Sequence, residues 1–368
     1  MTVDAHDIAY MREALELARQ GEYSTSPNPA VGCVITKNGE IVGRGFHYLA
    51  GEDHAEIEAI RDAGEMTKMA TAYVTLEPCS HKGRTGPCIE ALISAGITRV
   101  VYACGDPNPK VCGRGHRALR DAGIDVLSRV CEEEALELNQ GFIKRMTKGK
   151  PYVRLKMAMS LDGAMAMAGG ESKWITGGAA RADGQRLRAL SCGVMTGIGT
   201  ILADDPLLNV RDKELQMRGR EVTRIILDTQ LRCPTSASLF AVGGSVLIFC
   251  GKSFESKRYE KLSEFAEIES VEEISGAMDL ELILDRCASH GLNNILIEAG
   301  PVLTRQFMQR KLFDELTLYI APKIIGTEGR RAFQVPSPDR LSEVQDLKLK
   351  SLSSLGNDMV ATLVPNIS

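Results

Sequence analysis

His54-Ala55-Glu56, completed further on by Pro78-Cys79 and Cys88, is the stretch on which the reading of this chain turns. One imidazole and two thiols, with a carboxylate two residues from the imidazole and a proline before the first thiol, are the parts of a hydrolytic zinc site. Three protein ligands leave the fourth tetrahedral position to water, which separates a catalytic zinc from a structural one. Water on Zn²⁺ ionises near neutral pH, so such a site needs no strong base. If His54 opens a helix, Glu56 is turned from it by about 200° at 3.6 residues per turn. The carboxylate can then face a substrate and carry protons.

H-x-E followed by P-C and a second cysteine is the pattern of zinc enzymes that deaminate nucleobases. A lone His, Glu or Cys is usually packing or surface, and a free Cys is commonly a small buried hydrophobe. Order, proline and strand signal together carry the functional reading. One spacing departs from the common pattern. Cys79 and Cys88 enclose Ser80-His81-Lys82-Gly83-Arg84-Thr85-Gly86-Pro87, where two residues are usual, and this insert is expected to be a loop.

Working outward, 368 residues suggest two domains, each able to bury a core. The net charge of -4 offers no basic stripe, so nucleic acid is not an expected partner. No run approaches the ~20 apolar residues of a membrane span. The start, residues 1–7, lacks the basic-then-apolar order of a secretory signal. Ten cysteines scattered along the chain read as reduced thiols, and cytoplasm is the expected compartment.

Ile8, Met11, Leu15 and Ala18 recur at helical spacing, predicting a helix over 7–19 that Gly21 closes. Ser26-Pro27-Asn28-Pro29 is a rigid polar turn into a strand at 31–35. Asn38-Gly39 reads as a hairpin turn returning a strand at 41–46. Strands at 71–76, 99–103 and 124–127 alternate with helices at 87–95 and up to 123, which gives an α/β layer sandwich. The zinc residues fall at helix starts and strand ends, where open α/β sheets place their sites. Gly113-Arg114-Gly115-His116-Arg117-Ala118 fits a relaxed dinucleotide pattern. Asp106-Pro107-Asn108-Pro109 separates it from the preceding strand, so it reads instead as a loop over the first site. Helical spacing covers 132–146. The polar break Thr147-Lys148-Gly149-Lys150-Pro151 then divides a domain 1–148 from a domain 149–368.

The second half carries strands near 152–157, 193–196, 224–227, 245–250, 294–297, 315–320 and 359–364 with helical patterns between many of them, again α/β, and does not repeat the first. Both 194–200 and 295–304 run from a buried strand through a small-residue turn into a helix. Free N–H groups at a helix start suit phosphate, although many such turns bind nothing. Glu298 ends an apolar strand, where a carboxylate is costly unless paired or functional. Trp174 is either core or the wall of a planar ligand. Arg188 and Arg211 are either surface charges or phosphate ligands.

With these residues laid out, the chain resembles, over nearly its whole length, the bifunctional riboflavin-biosynthesis family that joins a diaminohydroxyphosphoribosylaminopyrimidine deaminase to a 5-amino-6-(5-phosphoribosylamino)uracil reductase. The likeness rests on Ser26-Pro-Asn-Pro29, His54-Ala-Glu56, Glu77-Pro-Cys-Ser-His81 with Gly83-Arg-Thr85 and Cys88, Asp106-Pro-Asn-Pro109, Ser160-Leu-Asp-Gly163, Leu202-Ala-Asp-Asp-Pro206 and Glu298-Ala-Gly300. The long insert between the cysteines is normal in that family. Gly86, where the family more often has proline, and Cys112, where alanine is usual, depart from it.

For the first domain the resemblance implies a cytidine-deaminase-like fold with Zn²⁺ on His54, Cys79 and Cys88 and Glu56 as proton shuttle. Asn28, His47, Arg84, Asp106 and Asn108 match positions around the pyrimidine and its ribose phosphate. The implied reaction is hydrolytic removal of the 2-amino group from 2,5-diamino-6-(5-phosphoribosylamino)pyrimidin-4(3H)-one. For the second domain it implies a dihydrofolate-reductase-like fold using NADPH. Ala158, Trp174, Thr200, Asp204, Thr229 and the turn Gly300-Pro301-Val302-Leu303-Thr304-Arg305-Gln306 match cofactor positions, while Ser172, Arg188, Leu208, Arg211 and Glu298 match substrate positions. Hydride would go to C1′ of the opened ribosyl group to give a ribityl chain. Lys156 is the candidate for polarising that centre, with Glu298 and Asp204 as relays. The resemblance also implies a homodimer.

Two other readings follow from the same residues. A nucleic-acid-editing deaminase should show a basic tracking surface, which the charge balance does not offer. A non-catalytic zinc module would complete four ligands with His81, Cys104 or Cys112.

Overall fold

The computed structural model describes residues 3–80, 86–108, 113–274 and 276–366. Arg84, His81 and Cys112 lie outside the described residues. The chain divides into two compact units, Met1–Gly149 with Gln216–Arg220, and Lys150–Leu215 with Glu221–Ser368.

The first unit runs α1 (Ala5–Arg19), β1 (Gly32–Lys37), β2 (Glu40–Phe46), α2 (Ala55–Ala63), β3 (Thr71–Leu76), α3 (Cys88–Ser94), β4 (Arg99–Cys104), α4 (Arg114–Asp121), β5 (Asp125–Ser128), α5 (Glu132–Leu138) and α6 (Gln140–Lys148). Its sheet has the order β2-β1-β3-β4-β5, with β1 antiparallel to both neighbours and β3, β4 and β5 parallel. Side chains alternate along a strand with period two, and here both sets are apolar. Ile35, Val74, Val100 and Tyr102 pack with Ala55, Ala59 and Leu92 on one face. Val34, Tyr73, Val101 and Ala103 pack with Met11, Leu15 and Ala135 on the other. The result is the three-layer α/β arrangement expected.

The position of α2 is set by small residues on both sides. A Cβ on Gly45 would come within 2.3 Å of the Ala55 carbonyl oxygen, and one on Gly43 within 2.4 Å of that of Ala59. The helix therefore lies close on the β1–β2 hairpin, whose turn residues Asn38 and Gly39 both have positive φ, as the Asn-Gly reading requires.

Three expectations are corrected. His54 does not open the helix: it is the N-cap, with extended φ and ψ of -77° and 161°, and its carbonyl accepts the N–H of Ile57 and Glu58. The 200° helical turn therefore does not relate it to Glu56. Residues 114–117, read as part of a loop, already belong to α4, with Gly113 as its left-handed N-cap at φ 68°. The single helix read over 132–146 is two helices broken at Asn139. That side chain leaves the helical pattern to accept the Ala30 N–H at 2.8 Å and donate to the Ala30 carbonyl at 2.9 Å.

The second unit runs β6 (Tyr152–Ser160), β7 (Ala164–Ala166), α7 (Gly178–Ala189), β8 (Gly193–Gly197), α8 (Ile198–Asp204), β9 (Thr223–Leu227), β10 (Val246–Cys250), α9 (Ser256–Leu262), β11 (Glu267–Ser270), β12 (Glu273–Ile274), β13 (Ala277–Met278), α10 (Leu280–Ser289), β14 (Asn294–Ile297), α11 (Pro301–Gln309), β15 (Glu315–Ala321), β16 (Arg330–Arg331), β17 (Leu347–Leu355) and β18 (Asp358–Pro365). The main sheet is β11-β10-β9-β8-β14-β6-β15-β18-β17. It is parallel from β11 to β15, and β18 and β17 add on antiparallel. β10, Val246-Leu-Ile-Phe-Cys250, is buried throughout and reads as an unbroken apolar run, and β14 continues from Asn294 as Ile-Leu-Ile, as parallel strands covered on both faces do. No helix among the described residues is long and apolar enough to cross a membrane.

Candidate functional site

In the first unit, His54 at the start of α2, Cys79 just past β3 and Cys88 at the start of α3 converge. Their ligand atoms all lie within 4.8 Å of one another. His54 Nδ1 is 3.1 Å from Cys88 Sγ and 3.6 Å from Cys79 Sγ. Zn–N of about 2.0 Å and Zn–S of about 2.3 Å at a tetrahedral angle put such donors about 3.5 Å apart. An imidazole and two thiols at this separation fit a single zinc ion. The Cys88 thiol, and after burial is offset the His54 ring and the Cys88 N–H, pull the Cys79 thiol down to about 4, while the shared proton pushes Cys88 up. A thiolate is the form that ligates metal. Cys104, one of the alternative fourth ligands, is instead buried with its thiol donating to the Thr75 carbonyl at 3.4 Å, and burial pushes it up to about 12.

Glu56, in the first turn of α2, is buried, and burial followed by the negative charge at Cys79 raises its carboxyl above the usual range. Both line a cavity of about 500 Å³ with Asn28, His47, His54, Glu77, Asp106 and Asn108. His47 is buried and neutral in character. Burial lowers its pKa, its Nδ1 faces the Asp53 carbonyl at 2.9 Å, and its Nε2 faces the Asn28 amide nitrogen at 3.0 Å. A carbonyl can only accept, so Nδ1 carries the proton and Nε2 accepts from Asn28. That leaves the Asn28 side-chain oxygen available on a fixed amide. Four of the five pyrimidine-side residues thus share one cavity, and the fifth, Arg84, lies outside the described residues. Phe142 and Leu76 also line it and were missed, being indistinguishable in sequence from core. Asn139 was missed as well, although an Asn inside a helical run is a recognisable breaker.

In the second unit the candidate residues sit at the C-terminal ends of neighbouring parallel strands. Ala158 lies on β6, Thr200 and Asp204 on α8 after β8, Thr229 after β9, and Gly300 to Gln306 in the turn from β14 into α11. Open α/β sheets bind ligands at these ends. Added Cβ atoms at Gly199 and Gly300 would meet nothing within 4 Å, so space lies beside both strand-to-helix turns. Thr196 Oγ1 and Arg305 Nε are buried without a hydrogen-bond partner among the described residues. Open turns with orphaned polar atoms fit a dinucleotide.

Glu298 receives both Arg188 Nε and Nη2, at 2.6 and 2.9 Å, and Arg188 also donates to the Asn209 carbonyl at 3.0 Å. Burial would raise the Glu298 carboxyl, but Arg188, helped by Lys156 and Arg211, holds it below the usual range. The Lys156 ammonium stands 5.6 Å from the centre of the Tyr319 ring. Asp204 faces Lys173 at 3.4 Å. Trp174 is not core: it is 64% exposed, with the Arg181 guanidinium 4.7 Å from its ring centre. Asp162, in the Ser160-to-Gly163 motif, accepts from Ser160 and from the N–H of Ile325 and Gly326, which lowers it to about 2. Its place is that of a strut under the turn. Ser172, Leu208 and Arg211 lie on the loops after β7 and α8, where Arg211 Nη1 donates to Asn209 at 3.1 Å.

Residues 151–361 match the RibD C-terminal domain, and residues 4–104 match the cytidine and deoxycytidylate deaminase zinc-binding region. The riboflavin biosynthesis protein RibD of Escherichia coli (strain K12) is 45% identical over 367 residues, covering 97% of this chain and 99% of that one. That of Haemophilus influenzae is 43% identical, covering 98% of each. Among solved structures, Acinetobacter baumannii RibD, form 1, aligns with a TM-score of 0.91 at 42% identity over 98% of this chain and 99% of that one. A diaminohydroxyphosphoribosylaminopyrimidine deaminase/5-amino-6-(5-phosphoribosylamino)uracil reductase from Thermotoga maritima aligns with a TM-score of 0.85 at 32% identity over 98% of this chain and 99% of that one.

Proposed function

Since this chain belongs to the RibD family of riboflavin biosynthesis, whose members join a deaminase to a reductase, we propose that its first unit (residues 1–148) removes the 2-amino group of 2,5-diamino-6-(5-phosphoribosylamino)pyrimidin-4(3H)-one and its second (149–368) reduces the ribosyl group of the product with NADPH. The observation that carries the first assignment is Glu56 buried in one cavity with a three-donor cluster that fits zinc. Bound on His54, Cys79 and Cys88, zinc supplies an acidified water at neutral pH. Glu56, whose carboxyl burial raises above the usual carboxylate range, is suited to take a proton from water and deliver it to the departing nitrogen. Asn28, fixed through His47, and Asp106 and Asn108 orient the pyrimidine and its ribose phosphate; Arg84 is assigned with them. Ammonia leaves and a pyrimidinedione remains.

In the second unit NADPH, held along Ala158, Trp174, Thr200, Asp204, Thr229 and Gly300 to Gln306, supplies hydride when bound. Ser172, Arg188, Leu208, Arg211 and Glu298 place the opened ribosyl chain. Glu298 is a carboxylate with both oxygens taken by Arg188, so it orients and does not donate a proton. That leaves Lys156, beside it, to polarise the C1′ centre and protonate as hydride arrives. The assembly is a homodimer on the family resemblance, testable by sedimentation of the full chain. A cytoplasmic location suits thiols that must stay reduced to hold metal.

The test is Glu56→Gln in the full chain. Zinc content and NADPH-dependent turnover of the deaminated product are expected to stay at the wild-type level while ammonia release falls by about 10²-fold or more. Ammonia release near the wild-type rate would remove Glu56 from the role.

A further inference from the structure

Glu77 stands between β3 and the Pro78-Cys79 pair, is 3% exposed, and lines the deaminase cavity. No cation reaches it among its described hydrogen-bond partners. Its carboxylate instead accepts three backbone N–H groups: Asp106 at 3.4 Å and Gly113 at 3.0 Å on Oε2, and His116 at 3.1 Å on Oε1. Two of these belong to the N-cap and first turn of α4, and the third to the residue that opens the Asp106–Asn108 stretch. Backbone N–H groups at a helix start are otherwise unsatisfied and carry partial positive charge. A buried carboxylate supplied from another element satisfies them from inside. The approach is close enough to exclude a side chain: a Cβ on Gly115 would lie 2.2 Å from the Pro78 carbonyl and 3.2 Å from Glu77 Oε1.

We infer that Glu77 is a positioning residue of the deaminase reaction. It clamps the backbone that carries Asp106 and Asn108 to the same strand end that presents Cys79, and so sets the affinity for the phosphoribosyl pyrimidine without touching the reacting atoms. The inference rests on the deaminase reading of the first unit. Substituting an amide tests the clamp, because the –NH₂ of glutamine turns a donor toward N–H groups that need an acceptor.

The experiment measures ammonia release against concentration of the diaminopyrimidine ribosyl phosphate, with the zinc-loaded full chain and its Glu77→Gln variant. The expected result is a KM raised at least tenfold with kcat within threefold, zinc still stoichiometric and NADPH-dependent turnover of the deaminated product unchanged. Glu77→Asp, which keeps the charge but not the reach, is the second variant if Glu77→Gln loses metal or does not fold. A KM within twofold of wild type in a variant that keeps zinc overturns the inference. Loss of zinc or of fold in both also overturns it, because Glu77 then serves the metal site or the core and not the substrate-bearing backbone. Absence of ammonia release from the wild-type chain would instead remove the deaminase reading itself.

Discussion

Cys88 is wholly buried at the start of α3, and its sulfur lies 3.1 Å from His54 Nδ1. A hydroxyl in its place ligates zinc poorly, so Cys88→Ser is expected to purify with less than about a tenth of the wild-type zinc by metal analysis, since losing even a hydrogen-bond partner of a ligand costs about 10–100-fold in metal affinity. Full zinc would mean another residue completes the set. Asp7 shows a different use of buried charge. Its carboxylate accepts Arg99 Nη1 and Nη2 at 2.8 and 2.9 Å and the Tyr73 hydroxyl at 3.0 Å, tying α1 to the sheet. Burial would raise its pKa, but those bonds and the Arg99 charge outweigh it and lower it. A carboxyl lowered on folding contributes stability that is complete above its unfolded pKa of about 3.9 and lost as pH falls through the folded value. Urea midpoints of the first unit are therefore expected to be level from pH 7 to about 5 and to drop below about 4. Asp7→Asn should flatten that drop and lower stability at pH 7 by about 2–3 kcal/mol, less than for a fully buried pair because Arg99 reaches solvent. An unchanged acid limb in the variant would show that other carboxylates govern it.

Among the elements, α2 carries Glu56, the proposed proton carrier, at its first turn, and the approach of Gly45 to Ala55 fixes where that turn lies. Gly45→Ala forces the helix start outward. It is expected to cost about 1–3 kcal/mol by urea unfolding and to lower ammonia release at 25 °C more than the unfolded fraction accounts for. Activity that merely tracks the folded fraction would mean that the helix absorbs the methyl group elsewhere. Strands β3 and β14 were legible to the residue because apolar runs between turn residues leave no other reading. Edge strand β17 was not, since seven of its nine positions are exposed and no buried face imposes an alternation. The α5–α6 break was hidden for the opposite reason: the apolar spacing continues across it, and only the contact of Asn139 with Ala30, distant in sequence, ends the helix. The same limit applied to His54. Its place in the H-x-E pattern was readable, but whether it is a helical residue or a cap depends on where its carbonyl finds donors.

At the scale of the whole molecule, the chain divides into two compact units, and each brings its own candidate residues to one end of its sheet's neighbouring strands. The proposed zinc donors His54, Cys79 and Cys88 could be singled out from sequence by their order and residue type, and their ligand atoms do lie within 4.8 Å of one another. The reductase residues rested on family likeness, since strand-to-helix turns look alike until their open space and orphaned atoms are seen. Lys156→Ala is expected to lower NADPH-dependent turnover about 10²-fold or more while leaving ammonia release unchanged in the same preparation, mirroring Glu56→Gln. Loss of both activities together would contradict their separation. The most direct measurement follows ammonia and NADPH at once after the proposed diaminopyrimidine ribosyl phosphate is added to one purified, zinc-loaded chain. The account expects one ammonia released and one NADPH consumed per substrate, with ammonia first and NADPH oxidation dependent on it. NADPH oxidation without ammonia, or ammonia with no NADPH oxidation at all, would contradict it.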